Sequence, residues 1–213
     1  MSATARTSPT RMPEKMRDDR AGVTRLIADA RVGHVAFVHE GAPRVMPIAI
    51  VADGDDVLLH GSTGSPWLRL LATGVPVSVA VTAVDALVVA RSAFESSMHY
   101  RSAVLFGRCA PVDPVEKAAA LDRITEALIP GRVSELRPHR SKELAATLLL
   151  RLGVEEWSYR VSDGWPEDDD ADVAGPAWAG VLPMRKGFAE AIPTFDLREG
   201  IPVPASVRGL LAP

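Results

Sequence analysis

Apolar and polar positions recur along this chain with two periods, and the changes from one to the other mark its elements. Between Asp19 and Ala30 the residues Val23, Leu26, Ile27 and Ala30 fall at helical spacing behind acidic residues that suit the macrodipole, so the first element is a helix. His34–His39 then reads as a short strand, Glu40–Pro43 as a turn and Arg44–Ala52 as a second strand, together a hairpin. Proline donates nothing to a ladder, so Pro47 implies an edge or a bulge, where backbone groups face something other than a strand. After the turn Asp53-Gly54-Asp55-Asp56, Val57–Leu59 forms a third strand, and Trp67–Thr73 has room for a two-turn helix ending near Gly74. Val75–Val84 predicts a buried strand, Asp85-Ala86 a turn, Leu87–Ala90 further β structure, Ser92–His99 a polar break and Ser102–Arg108 another strand. Strands at such short intervals argue for an antiparallel barrel or sandwich rather than βαβ units.

Farther on, Val115, Ala119, Leu121, Ile124 and Leu128 make Asp113–Leu128 an amphipathic helix closed by Pro130-Gly131, and a second helical stretch is expected over Ser141–Leu150. Glu155–Val161 alternates like a strand, Glu167–Asp172 reads as a solvated acidic loop, and the Pro- and Gly-rich chain from Gly175 predicts an extended segment wrapping the domain or a partner. Residues 1–18 have no period and predict a disordered tail, which leaves one domain over 19–185 and an extended C-terminal segment over 186–213.

Composition narrows the function classes. A chain of 213 residues with 47% hydrophobic residues fills one generous core. Its formal charge of -3 gives no electrostatic reason to expect nucleic acid or an anionic membrane, and points to a small-molecule partner. The single Cys109 excludes an internal disulfide and a cysteine-rich metal cluster, and suits a reducing cytoplasm. No run of about 18 apolar residues and no signal-peptide pattern occurs, so a cytoplasmic protein is expected.

Two polar stretches interrupt this apolar framework. The first is the connector His60-Gly61-Ser62-Thr63-Gly64-Ser65, whose backbone N–H groups and hydroxyls before a helix either seat a phosphate or leave Ser65 as an N-cap ahead of Pro66. Of the five histidines, none has the spacing of a metal pair on a helix; His60 ends a strand beside the connector, where it either meets a ligand or is a bonded structural group. The second stretch runs from Ser96 to Ser102, where Arg101, between Tyr100 and Ser102, either clamps a phosphate or pairs with a carboxylate. G-x-S-x-G, G-x-G-x-x-G and Walker A patterns are all missing, so the chemistry is expected to come from a bound cofactor.

The order of elements and these stretches resemble the pyridoxamine 5'-phosphate oxidase-like flavin-binding split barrels, in the branch that includes nitroimidazole-resistance proteins. The likeness is carried by VGHVAFV, PRVMPIAI, LLHGSTGSPWLRLL, SSMHYRSAVLFGR and AWAGVLP, and covers about residues 19–184. It implies a mainly β fold with flanking helices, a six-stranded antiparallel Greek-key split barrel, and a homodimer with FMN at the subunit interface. By position, Met46, Pro47, Ile48 and Ala49 would lie along the isoalloxazine ring. His60, Gly61, Ser62, Thr63, Ser65 and Trp67 would face the ribityl chain and phosphate, and Tyr100, Arg101 and Ser102 would complete the anion site. His60 would also be the candidate catalytic residue. The sequence departs from the family where Arg or Lys usually opens the helix after the serine, because Pro66 and Trp67 stand there.

The leading expectation is therefore an FMN-dependent oxidoreductase, similar to flavin reductases and nitroreductases, passing reducing equivalents from a reduced nicotinamide to a small acceptor. His60 or His99 would be the proton donor. Pro66 and Trp67 keep open a non-catalytic binding or sensing module for flavin, haem or deazaflavin, and a barrel that has lost its cofactor and serves as a dimeric scaffold.

Overall fold

The protein is described by a computed structural model covering residues 4–154 and 156–211. Asp19 accepts a hydrogen bond from the Gly22 N–H and so caps α1 (Arg20–Ala30), whose Val23, Leu26 and Ile27 are buried. The expected hairpin forms from β1 (Val32–His39) and β2 (Ala42–Asp53), joined through Glu40 and Gly41 at φ 52° and 75°, the positive pair that a tight two-residue connection needs. There follow β3 (Asp56–Ser62), α2 (Pro66–Ala72), β4 (Pro76–Val89), β5 (Ser97–Pro111), α3 (Lys117–Leu128), α4 (Ser141–Ala146), β6 (Thr147–Gly153) and β7 (Glu156–Ser162). α5 (Asp170–Val173), β8 (Gly180–Pro183) and α6 (Ala205–Leu211) complete the chain.

All strand pairs are antiparallel, in the order β7-β5-β6-β3-β2-β1-β4-β8, and the β4–β5 pairing closes β1-β2-β3-β6-β5-β4 into a ring of six. This is the split barrel expected from the sequence. Alternate residues of the ring, among them Val35, Leu59, Val79, Leu105, Leu150 and Leu152, fill the interior with Leu26 of α1 and Leu68 and Leu71 of α2. Each such side chain contributes roughly 1.5–3 kcal/mol by leaving water. A smaller apolar layer lies on the other side of β2, β3 and β6, where Val51, Leu58 and Leu149 pack under Ala120 and Ile124 of α3. Among the described residues no helix is long and apolar enough to cross a membrane.

The structure departs from the sequence pattern at definite places. The expected helix over Ser141–Leu150 ends at Ala146, and Thr147–Gly153 is a strand between β3 and β5. A short apolar run such as Leu148-Leu149-Leu150 satisfies either period, and here the gap in the ring decides. Asp85-Ala86 is no turn but a bulge inside β4, and β5 starts at Ser97, so His99–Ser102 are strand residues. Asp168, in the acidic loop, has its side chain 1% exposed and accepts from the Arg91 backbone and guanidinium.

In the tail expected to be disordered, residues 8–14 are exposed, and a few residues on either side of them touch the barrel. Thr7 is buried, Arg6 pairs with Glu156 and covers Phe106, and Met16 bridges to Arg160 of β7. Residues 1–3 lie outside the described part.

Candidate functional site

The barrel splits where β2 and β3 part. Their pairing runs only from Asp53↔Asp56 to Ile50↔Leu59; past that point β2 pairs with β1 alone, while His60, Gly61 and Ser62 pair with β6. Backbone groups of Arg44–Ala49 are thereby left without a strand on one side, and Pro47 occupies this edge as its missing N–H requires. Along it Met46 and Ile48 turn toward the core while Pro47 is exposed, so the four residues expected against a flavin present side chains to opposite faces but share one open backbone edge.

The connector after β3 is satisfied from within. Thr63 N–H and Oγ1 donate to the Ala146 carbonyl at 2.9 and 3.2 Å, Gly64 N–H donates to Ser62 Oγ at 3.1 Å, and Ser65 N–H donates to the Ser62 carbonyl at 3.0 Å. Ser65 makes no side-chain cap to α2, and Pro66 has no N–H to offer. Gly61 lets α2 approach, since a Cβ there would stand 2.5 Å from Leu68 Cδ1. Trp67 stacks on Phe37, with ring centroids 6.4 Å apart and planes at 12°, and the two line a cavity of about 170 Å³ with Met46 and Arg44. That volume is below the usual range for a ligand pocket. The N–H groups expected to seat a phosphate are therefore already bonded, and no cation opens the helix.

His60 points elsewhere. Its strand neighbour Gly61 faces α2, so alternation sends His60 to the opposite side with Leu58, beneath α3. There it lines a crevice of about 410 Å³ with the apolar Leu121, Ile124, Leu128 and Ile129 on one side and the polar Thr125, His139, Glu143 and Thr147 around it. Burial lowers the His60 pKa from its ordinary value, which keeps the imidazole neutral near pH 7, and its ring has no hydrogen-bond partner among the described residues. His139 is held by Asp122 of α3, with Nε2 2.9 Å from Oδ1, and also lines an adjoining cavity that includes Val133 and Leu136. The sequence singled out His60 but not this crevice, because its apolar wall belongs to a helix far away in the chain.

Tyr100, Arg101 and Ser102 do not converge. They are consecutive in β5, so Arg101 shares a face with buried Ala103 and Leu105, while Tyr100 and Ser102 occupy the other. Arg101 holds Asp85 bidentately, Nε–Oδ2 2.8 Å and Nη2–Oδ1 2.9 Å, and reaches Asp29 with Nη1 at 2.8 Å. Lys186 joins Asp85 at 3.1 Å. The bond from Arg101, opposed by burial and aided by Lys186, draws the Asp85 carboxyl down to about 2. The guanidinium expected to clamp a phosphate is thus engaged on all its forks by two carboxylates. His99 Nε2 lies 2.9 Å from the Gly164 carbonyl oxygen. Burial pushes the Cys109 thiol up to about 11, which leaves it inert.

Solved structures of known proteins extend the picture. The FAD and haem binding protein from Mycobacterium smegmatis is 45% identical, with 92% of this chain and 97% of that chain covered at a TM-score of 0.90. The flavocytochrome Anf3 from Azotobacter vinelandii is 32% identical, with 97% of each chain covered at a TM-score of 0.89. A candidate 5-nitroimidazole antibiotic resistance protein from Bacteroides thetaiotaomicron, at 20% identity, 68% and 86% coverage and a TM-score of 0.59, shares the fold alone. The branch expected from the sequence is thus the more distant of these likenesses. No curated protein matches the chain. The profile of the pyridoxamine 5'-phosphate oxidase family matches residues 19–161, the whole of the ring and its helices α1 to α4, and the chain belongs to that family.

Proposed function

We propose that this protein is a redox protein that binds a flavin and a haem, with FAD rather than FMN as the flavin. The observation that carries the reading is His60, a neutral imidazole with no hydrogen-bond partner among the described residues, set in a crevice beneath α3 whose wall from that helix is apolar and whose other side carries His139, Glu143 and Thr147. A b-type haem asks for such a slot and such a ligand. Leu121, Ile124 and Leu128 would line the apolar side of the haem, and the His60 imidazole would hold its iron. The similarity to a FAD and haem binding protein and to a flavocytochrome supports this over the single-cofactor oxidoreductase.

The flavin would lie along the open β2 edge, with backbone groups of Met46–Ala49 available to its ring. FMN fits poorly, because its phosphate would meet a connector whose N–H groups are bonded internally and which is followed by Pro66 and Trp67. FAD adds an adenosine half whose contacts do not depend on that seat. When bound, the flavin supplies two-electron exchange with a reductant and the haem supplies one-electron steps. The chain would orient the two groups on either side of β3, keep the His60 imidazole unprotonated and exclude water beneath α3.

Two copies would complete the flavin site. The outward residues of the first hairpin, Val32, His34, Ala36 and Val38 on β1 and Pro43, Val45 and Pro47 on β2, form a sheet face without Asp, Glu, Lys or Arg. The test is to titrate cofactor-free protein with FAD, FMN and haemin and to measure stoichiometry after removing unbound ligand. One FAD and one haem per chain is expected, with FMN held more weakly; tight FMN and no haem would overturn the reading.

A further inference from the structure

A cleft of about 470 Å³ opens at the far end of the β4–β5 hairpin, where Val88 pairs with Ser97. It shares no residue with the His60 crevice, and the run of β4 sets it roughly 25 Å from Ala80, which lies level with Pro47 across β1. Three walls enclose it, each fastened by itself. The loop after β4 is one, in which Ala90 N–H donates to Ser96 Oγ at 3.2 Å and Ser96 Oγ donates to the Ser92 carbonyl at 2.9 Å. The chain leaving β7 is the second, held where His99 Nε2 donates to the Gly164 carbonyl at 2.9 Å and where the buried Asp168 carboxylate accepts from Arg91. The third is the turn Pro13–Lys15, followed at once by the Met16 bridge to Arg160 and by Arg17 N–H donating to the Tyr159 carbonyl at 2.9 Å.

The side chains between these walls are ones that packing does not use. Phe94 is 92% exposed and Trp165 76%, although both line the cleft. Arg11 and Lys15 share it with Glu14, Glu95 and Glu167, and none of the five has an ion-pair partner among the described residues. Unpaired charges of both signs narrow the choice of ligand. An inorganic anion would meet three carboxylates, an apolar molecule would strand all five charges from water, and no cluster of the described residues fits a metal ion. A molecule with a π face, hydroxyl donors and an anionic end satisfies the whole set. We infer that the cleft binds an adenosine phosphate. The base stacks on Trp165 or Phe94, ribose hydroxyls donate to a glutamate carboxylate, and Arg11 and Lys15 hold the phosphate. The volume lies within the range of small-ligand pockets. This site goes beyond the flavin and haem reading and does not rest on it; the adenosine phosphate is either a diffusible nucleotide or the adenosine half of an FAD.

The probe is ADP, titrated by calorimetry into the full chain, once free of flavin and once loaded with FAD. One ADP per chain is expected, with adenosine, which lacks the phosphates, held at least about tenfold more weakly. Trp165→Ala should weaken ADP at least about tenfold through the lost stacking, and Arg11→Ala combined with Lys15→Ala should bring ADP down to the level of adenosine. Because these side chains hold no partner in the fold, the melting temperatures of the variants should match the wild type, which separates lost binding from lost folding. ADP binding to both forms assigns the cleft to a diffusible nucleotide. Binding to the flavin-free form alone, with ADP displaced by added FAD, assigns it to the adenosine half of FAD. ADP that binds neither form, or that binds every variant as tightly as the wild type, overturns the proposal.

Discussion

Replacing Arg101 by alanine separates a structural from a ligand-binding role for the residue that the sequence marked as an anion clamp. The change removes three charge-assisted hydrogen bonds, two to Asp85 and one to Asp29. Buried, each would contribute about 1.5–3 kcal/mol. The Asp29 side chain is 45% exposed and that of Asp85 34%, so solvent screens the cluster, and Lys186 still faces Asp85 in the variant. A net loss of about 2 kcal/mol is the reasonable magnitude, equivalent to about 4–8 °C in melting temperature for a domain of this size. Urea denaturation of the cofactor-free protein measures it, and an FAD titration of the folded variant measures the ligand. Stability should fall while FAD affinity stays within about threefold, and Arg101→Lys should recover little, because an ammonium cannot span both carboxylates. Unchanged stability with flavin binding weakened tenfold or more would refute the structural assignment.

The same cluster predicts a pH dependence. The folded Asp85 carboxyl titrates at about 2, below its ordinary unfolded value of about 3.9, so its contribution is complete above about pH 5 and is lost as pH falls toward 2; acid unfolding curves should lose this segment in Arg101→Ala. Gly107→Ala should cost about 1–3 kcal/mol in urea melts, because its Cβ would stand 2.6 Å from the Gly153 carbonyl oxygen across the β5–β6 contact. Gly61→Ala should cost less, since the atom it meets is the mobile end of Leu68. Leu150→Ala, inside β6, should cost about 2–5 kcal/mol, whereas a helix surface position would lose little; a loss under 1 kcal/mol would argue against the strand.

The barrel was legible where period and punctuation agree. Val35 and Phe37 alternate against outward neighbours, Gly54 punctuates the second hairpin, and Pro47 announced the edge that the structure shows. It was not legible where a local pattern is ambiguous and the surrounding strands decide, as at Leu148-Leu149-Leu150, or where a bulge absorbs a turn signal, as at Asp85. Site residues fared differently. Proximity in sequence grouped Tyr100, Arg101 and Ser102, but strand alternation sets them on two faces, and the partners of Arg101 come from β4 and α1. His60 stood out by its place at a strand end, while the α3 wall opposite it is more than 60 residues away in sequence and left no local mark.

The most direct test of the central claim is the visible spectrum of haem-loaded wild type beside His60→Ala, each also carrying FAD. A sharp Soret band that is lost or broadened in the variant, with the flavin bands retained, is the result predicted if His60 holds the haem iron beneath α3. An identical Soret band in both proteins would contradict it and move the haem ligand away from His60.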